Sequence, residues 1–282
     1  MESVTTAAEL REHVAAWRRD GARVGFVPTL GNLHAGHYSL VSIARANADR
    51  VVASVFVNPT QFGPREDFAS YPRTIETDRV GLEAHGCDLL FAPGIEEVYP
   101  FGADASVRVD VPAVSATLEG ALRPGHFTGV ATVVTKLLNL VQPDVAIFGQ
   151  KDYQQLLVIK RLVRDLALPI RIVAAPTMRE SNGLAMSSRN QYLSADERQR
   201  AGAIHRTLVR MCEEVRAGKP RAAIEDDALR ALEGEGLAVD YAVLRRSEDL
   251  TEPPPRERHG LIALIAAKLG RARLIDNLSA DL

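Results

Sequence analysis

The sequence predicts an α/β protein, with a parallel sheet covered by helices on both faces and a smaller C-terminal α+β domain. Three observations carry that expectation. Short apolar runs near 23–28, 50–57, 88–92, 144–148 and 170–174 alternate with helically spaced segments near 36–48, 74–85, 127–141 and 151–166. The runs are continuous, as in Val51-Val52-Ala53-Ser54-Val55-Phe56-Val57, which is the pattern of parallel strands buried on both sides. The rhythm then stops: 176–194 is rich in Ser, Asn, Gly and Arg without a period, and reads as a hinge plus loop.

The elements follow in order. Thr6 and Glu9 form a capping box that opens a helix to about Arg19. Four βα units and a fifth strand follow, and in such sheets ligands lie beyond the carboxyl ends of the strands. After the hinge come two helices, near 194–217 and 221–234, and three strand patterns, near 238–245, 260–267 and 272–276. The expected domains are therefore 1–175 and 176–282.

With 282 residues, 46% of them hydrophobic, the chain can bury a sizeable core. A net charge of −2 gives no support to a nucleic-acid or membrane-surface partner. The first six residues lack a basic region and an apolar signal core, and no apolar run reaches membrane-spanning length. Cys87 and Cys212 stand alone, so neither a disulfide nor a metal site is expected of them. The expected setting is a reducing cytoplasm.

The most informative stretch follows the first long strand: Pro28-Thr29-Leu30-Gly31-Asn32-Leu33-His34-Ala35-Gly36-His37. A strand, a Gly-bearing turn and a helix start make an anion site, because the first helical N–H groups have no intrahelical partner. His-x-Gly-His there is a signature of enzymes that act on the α-phosphate of ATP. Its imidazoles can donate to phosphate oxygens as charge shifts. Met186-Ser187-Ser188-Arg189 has the shape of the second phosphate-binding loop of such enzymes. It offers two hydroxyls and a guanidinium matched to phosphate. The plainer readings are two loop histidines that touch nothing and an ordinary polar loop.

Three further stretches carry chemistry. Gln61, after the strand 50–57, offers a donor and an acceptor suited to a small hydroxy-carboxylate. Gly149-Gln150-Lys151-Asp152 runs from a strand end into a helix. There Gly149 permits close backbone approach, a cation at a helix start suits phosphate better than the helix dipole, and Asp152 can accept from ribose hydroxyls. Gln155 lies one turn beyond Asp152. Thr74 reads as a helix cap, and Asp78 reads as a solvated helix carboxylate in preference to a metal ligand. For Arg123 and His126 a structural role ranks ahead of a place in the site.

Taken together these stretches resemble the pantoate–β-alanine ligase family. Pro28-Thr29 with His34 and His37, Val57-Asn58-Pro59 with Gln61-Phe62, Tyr71-Pro72-Arg73, Arg123-Pro124 with His126-Phe127, Phe148-Gly149 with Lys151-Asp152 and Gln154-Gln155, Met186-Ser187-Ser188-Arg189, and Ala272-Arg273-Leu274-Ile275-Asp276-Asn277 match in order and spacing. The resemblance implies a Rossmann-like first domain, a C-terminal lid and a homodimer. It implies a reaction of (R)-pantoate, β-alanine and ATP with Mg²⁺, through a pantoyl adenylate. It assigns ATP to Leu30, Gly31, Asn32, Leu33, His34, Ala35, Gly36, His37, Gly149, Gln150, Lys151, Asp152, Met178, Met186, Ser187, Ser188 and Arg189. His37, His34, Lys151 and Arg189 are the catalytic candidates, with His37 the family's proton donor. Gln61 and Gln155 are to hold pantoate, with Gln61 also near β-alanine. Leu30 stands where the family commonly has Met, and Gln150 where it commonly has Glu, which leaves any metal role at 150 without a charge. The competing readings are a nucleotidyltransferase with the same His-x-Gly-His site and a non-catalytic nucleotide-binding protein.

Overall fold

The computed structural model describes residues 1–64, 66 and 68–281. It divides into two compact units, Met1–Gln150 with Gln154–Pro176, and Lys151–Tyr153 with Thr177–Leu282.

The first unit is built on a six-stranded parallel sheet. Its strands are β1 (Glu2–Val4), β2 (Val24–Thr29), β3 (Arg50–Val55), β4 (Leu89–Phe91), β5 (Val145–Gly149) and β6 (Arg171–Ala175), in the spatial order β1-β4-β3-β2-β5-β6. Between them run α1 (Ala7–Arg19), α2 (Ala35–Asn47), α3 (Ile75–Ala84), the short α4 (Ile95–Val98) and α5 (Glu119–Leu122), α6 (His126–Val141) and α7 (Tyr153–Asp165). Val27, Val51, Ala53, Val145 and Ile147 pack with Val41 and Ala44 of α2 into one buried cluster. Helices α1 and α6 pack against each other and against β2. Thr6 and Glu9 make the expected capping box at the start of α1.

The strand order reverses once within the sheet. The chain steps outward from β2 through β3 to β4, then returns to lay β5 on the other side of β2. The order therefore reverses between β2 and β5, and ligands of open α/β sheets bind at such a crevice, beyond the carboxyl ends. Those ends are Thr29 and Gly149. The histidine loop follows the first and the Gln150-Lys151-Asp152 turn the second.

The second unit contains α8 (Ala195–Ala201), α9 (Ala203–Arg216), α10 (Arg221–Gly234) and an antiparallel sheet of β7 (Ala238–Arg246), β8 (Leu261–Leu269) and β9 (Ala272–Ser279). Leu208, Met211, Ile224 and Leu232 pack on Ala263, Ile265 and Leu274.

Three differences from the sequence reading have local causes. The single helix expected over 194–217 is two, broken at Gly202. A Cβ there would lie 2.7 Å from the Asn182 carbonyl oxygen, so the loop presses on the helix at that point. Strand β1 is absent from the sequence expectation, because only three residues at the sheet edge form it. The irregular stretch after β6 holds one isolated antiparallel bridge, Arg179 to Ala185.

Cys87 and Cys212 are buried and free, and burial pushes the Cys87 thiol up to about 12. Among the described residues no helix is long and apolar enough to cross a membrane.

Candidate active site

The histidine loop is tied down at nearly every backbone amide. Gly31 and Asn32 both lie in the left-handed region, with φ of 85° and 53°. Gly31 N–H donates to Thr29 Oγ1 at 3.2 Å. Asn32 and Leu33 N–H donate to the two oxygens of Asp78, at 2.9 and 2.8 Å. His34 caps α2: its Nδ1 accepts from Gly36 N–H at 3.1 Å, while His34 N–H donates to His37 Nδ1 at 3.3 Å. The rings stand 4.1 Å apart, centroid to centroid.

This geometry changes the expected anion site. The N–H groups of residues 31–34 and 36 have partners inside the protein. The side chains are what the loop offers a phosphate. Because each Nδ1 accepts from an N–H, each imidazole is the neutral form with its proton on Nε2.

Asp78 corrects the sequence reading. Instead of being a solvated helix carboxylate it is 1% exposed, because α3 turns it under the loop. Thr74 holds the cap position of α3 without a capping bond. Its hydroxyl donates to Asp78 Oδ2 at 3.1 Å instead.

Gln61 sits at the end of the 3-10 turn Pro59–Gln61, and its amide is oriented by a chain of donors. Asn58 Oδ1 accepts from Thr60 N–H at 3.4 Å and from Tyr99 OH at 2.7 Å. Asn58 Nδ2 must therefore be the atom that meets the Gly129 carbonyl and Gln61 Oε1, at 3.2 and 3.1 Å. With its oxygen so engaged, Gln61 presents its NH₂ as the outward group. Helix α6 backs the turn: a Cβ on Gly129 would lie 2.3 Å from the Thr60 carbonyl oxygen and 2.7 Å from Gln61 N.

Arg123 and His126 support this turn. Arg123 pairs through two hydrogen bonds with Glu66, Nε to Oε1 at 2.7 Å and Nη2 to Oε2 at 2.5 Å. His126 Nδ1 donates to the Gln61 carbonyl at 2.9 Å, and its Nε2 lies 3.1 Å from Arg123 Nη1. An arginine only donates, so Nε2 accepts and His126 is neutral. Burial, then the Arg123 charge, lowers its pKa. Burial pushes Glu66 up, but the Arg123 bonds and charge outweigh it and the net shift is down.

The two adjacent glutamines of α7 differ. Gln154 is consumed internally: its NH₂ donates to the Val114 and Thr117 carbonyls, both at 2.8 Å, and its oxygen accepts from Glu119 N–H at 3.1 Å. Gln155 is half-buried in α7. Gly149 is not crowded by other protein atoms; a Cβ there would meet nothing within 4 Å.

Lys151, Asp152, Met178 and Met186 to Arg189 lie in the second unit. Tyr153 OH donates to the Ser247 carbonyl at 2.7 Å, and Asn277 Nδ2 donates to the Lys151 carbonyl at 2.9 Å. Those bonds group Lys151 with the C-terminal sheet. Lys151 Nζ lies 3.5 Å from Asp152 Oδ1. Met186 N–H donates to the Met178 carbonyl at 2.9 Å, which sets the two methionines side by side. Ser187 caps the 3-10 turn Ser188–Tyr192, accepting from Arg189 N–H at 3.3 Å. Lys151, Ser187, Asn190 and Asp276 line one small cleft of this unit. Beneath it Arg179 pairs with the buried Asp276 at 2.5 and 3.1 Å. Asn190 Nδ2 donates to Glu180 Oε1 and the Ala185 carbonyl at 2.8 and 3.1 Å.

The model of the family described as pantoate-beta-alanine ligase matches residues 2–279. The chain belongs to the pantoate–β-alanine ligase family. It is 59% identical over 279 residues to the pantothenate synthetase of Xylella fastidiosa strain 9a5c, covering 99% of both chains. It is 59% identical over 269 residues to that of Stenotrophomonas maltophilia strain R551-3, covering 95% of this chain and 96% of that one. Among solved structures, the pantothenate synthetase of Thermus thermophilus superposes with a TM-score of 0.92 at 49% identity, over 99% of each chain. The ligase of Francisella tularensis, solved with beta-gamma ATP and beta-alanine, superposes with a TM-score of 0.83 at 31% identity, over 100% of this chain and 98% of that one. The family is one of amide-forming ligases.

The histidines, glutamines, lysine and arginine stand in motifs that the sequence shows. The supporting roles of Asp78, Asn58, Tyr99, Gly129 and Asp276 are not legible there. Only Asn58 carried a local signal, as an Asn before Pro at a strand end.

Proposed function

We propose that this chain condenses (R)-pantoate with β-alanine at the expense of ATP, through a pantoyl adenylate. A pantoate carboxylate oxygen attacks the α-phosphorus and pyrophosphate leaves. The β-alanine nitrogen then attacks the acyl carbon, and AMP leaves with the former carboxylate oxygen. The observation that carries this reading is the set held in the first unit: two imidazoles whose Nδ1 atoms each accept a backbone N–H, which leaves the ring proton on Nε2, and a glutamine whose oxygen accepts from Asn58 Nδ2.

Carboxylate attack on a phosphate needs alignment and charge neutralisation more than a strong base. The Nε2–H groups of His34 and His37 donate to oxygens whose charge grows in the transition state. Lys151 and Arg189 supply positive charge to the phosphates, and the Ser187 and Ser188 hydroxyls donate to them. Asp152 accepts from ribose, and Gly149 leaves room for the nucleotide. Gln61 NH₂ and Gln155 hold pantoate, and Gln61 lies beside β-alanine. In the same reading residues 176–282 act as a lid that keeps water from the acyl adenylate. Among the described residues no group of three or more His, Cys, Asp or Glu could hold a metal ion. In this reading Mg²⁺ comes with the substrate, carried on the phosphates of ATP, as that ion usually is.

The test is a complete reaction of ATP, pantoate and β-alanine, followed for AMP, pyrophosphate and pantothenate. AMP and pantothenate are expected in equal amounts, with pyrophosphate release requiring pantoate. A nucleotidyltransferase would give pyrophosphate without AMP, and a binding protein would give neither.

A further inference from the structure

We propose that Asp78 is a positioning residue for the adenylation step: its carboxylate fills an anion nest in the histidine loop and so aims both imidazoles. This rests on the reaction proposed above.

Successive backbone N–H groups in a tight turn can face one side, and such a concavity binds anions. Here Gly31 and Asn32, both left-handed, make that turn. The anion is the protein's own. Asp78 Oδ2 accepts from Asn32 N–H at 2.9 Å, Oδ1 accepts from Leu33 N–H at 2.8 Å, and the Thr74 hydroxyl adds a third bond at 3.1 Å. The first turn of α3 favours the negative charge. At 1% exposure this carboxylate has exchanged water for those three donors.

Two consequences follow for the site. The amides of Gly31, Asn32 and Leu33, which would otherwise compete for a phosphate, are already satisfied. The loop is also fixed one residue before His34, whose N–H and Nδ1 in turn lock His37 and the start of α2. An asparagine cannot replace the carboxylate. It keeps one acceptor, but its NH₂ would face the second backbone N–H.

Asp78→Asn and Asp78→Ala test this, measured by pantoate-dependent pyrophosphate release and by thermal melting, with and without sodium formate. Asp78→Asn should keep its fold and its KM for β-alanine but lose at least tenfold in kcat. Asp78→Ala should lose more, and formate entering the vacated nest should restore at least fivefold of its rate while leaving wild type and His37→Ala unchanged. Formate should also raise the melting temperature of Asp78→Ala alone, a readout that does not depend on turnover. Wild type that releases no pyrophosphate would overturn the reaction, not the nest. A folded Asp78→Asn within threefold of wild-type kcat would overturn the positioning role. So would an Asp78→Ala rate that formate does not change. If Asp78→Ala does not fold, Asp78→Asn decides.

Discussion

Asp78, Asn58 and His126 grip the loops of the first unit by their backbone amides and carbonyls. The loop of the second unit rests instead on pairs of charged side chains, Arg179 with Asp276 and Arg198 with Glu180. The difference sets what each half tolerates. A backbone grip fixes direction and leaves no room for added volume. A charge pair tolerates small shifts, but Arg179 with Asp276 fails when one partner is lost, since the other is then left in a poorly solvated place.

The largest expected effect breaks the second unit. Asp276→Ala strands Arg179 beside β9 and frees the amide of Asn277, which now donates to Asp276 at 2.8 Å. Removing one partner of a buried pair costs about 3 kcal/mol or more. Asn277 also holds the Lys151 carbonyl, so turnover should fall along with stability. Urea unfolding measures the first and steady-state rates the second. The double variant Asp276→Leu with Arg179→Met should regain most of the stability, because no charge is left unpaired. A loss below about 1 kcal/mol in the single variant would remove the pair from the argument.

The sequence made the frame readable because its signals are local. Continuous apolar runs announce β2, β3 and β5, and a capping box announces α1. The charged and histidine groups sit in ordered motifs. The supports were hidden because they reach across the chain. Asp78 lies 46 residues from Asn32, and Arg179 lies 97 residues from Asp276. No periodicity distinguishes a carboxylate turned under a loop from one turned to water. Helix α8 was merged with α9 for the same reason, since the break at Gly202 is imposed by the distant Asn182 loop.

A smaller effect tests the intolerance of the first unit. Gly→Ala inside a helix ordinarily stabilises by about 0.5–1 kcal/mol. At Gly129 the new methyl would lie 2.3 Å from the Thr60 carbonyl oxygen. Backbone, not a flexible side-chain end, must then move, and overpacking of this kind costs about 1–3 kcal/mol. Gly129→Ala should therefore destabilise the protein, and by displacing the turn that carries Gln61 it should raise KM for pantoate. A stabilised variant with unchanged KM would show that α6 does not press on that turn.

The smallest effect concerns pH, and it separates the two kinds of support within one cluster. His126 is held neutral, with a folded pKa below its ordinary 6.5 because burial and then the Arg123 charge disfavour the cation. Below pH 6.5 the unfolded chain therefore binds a proton that the folded chain resists, and stability falls as pH falls through that window. Each unit by which the folded value is lowered contributes about 1.4 kcal/mol. Glu66 works in a different range. Its folded value lies below the ordinary 4.5 because the Arg123 bonds and charge outweigh the opposing effect of burial. Its contribution is complete above pH 4.5 and is lost only below it. His126→Asn keeps an N–H aimed at the Gln61 carbonyl, since the Asn amide nitrogen takes the place of Nδ1, and removes the titration. Stability of the variant should decline less than that of wild type between pH 6.5 and 5, the remainder coming from His205, whose pKa burial also lowers, and both should fall together below 4.5. Parallel curves through the upper window would mean that protonation of His126 does not weaken this support.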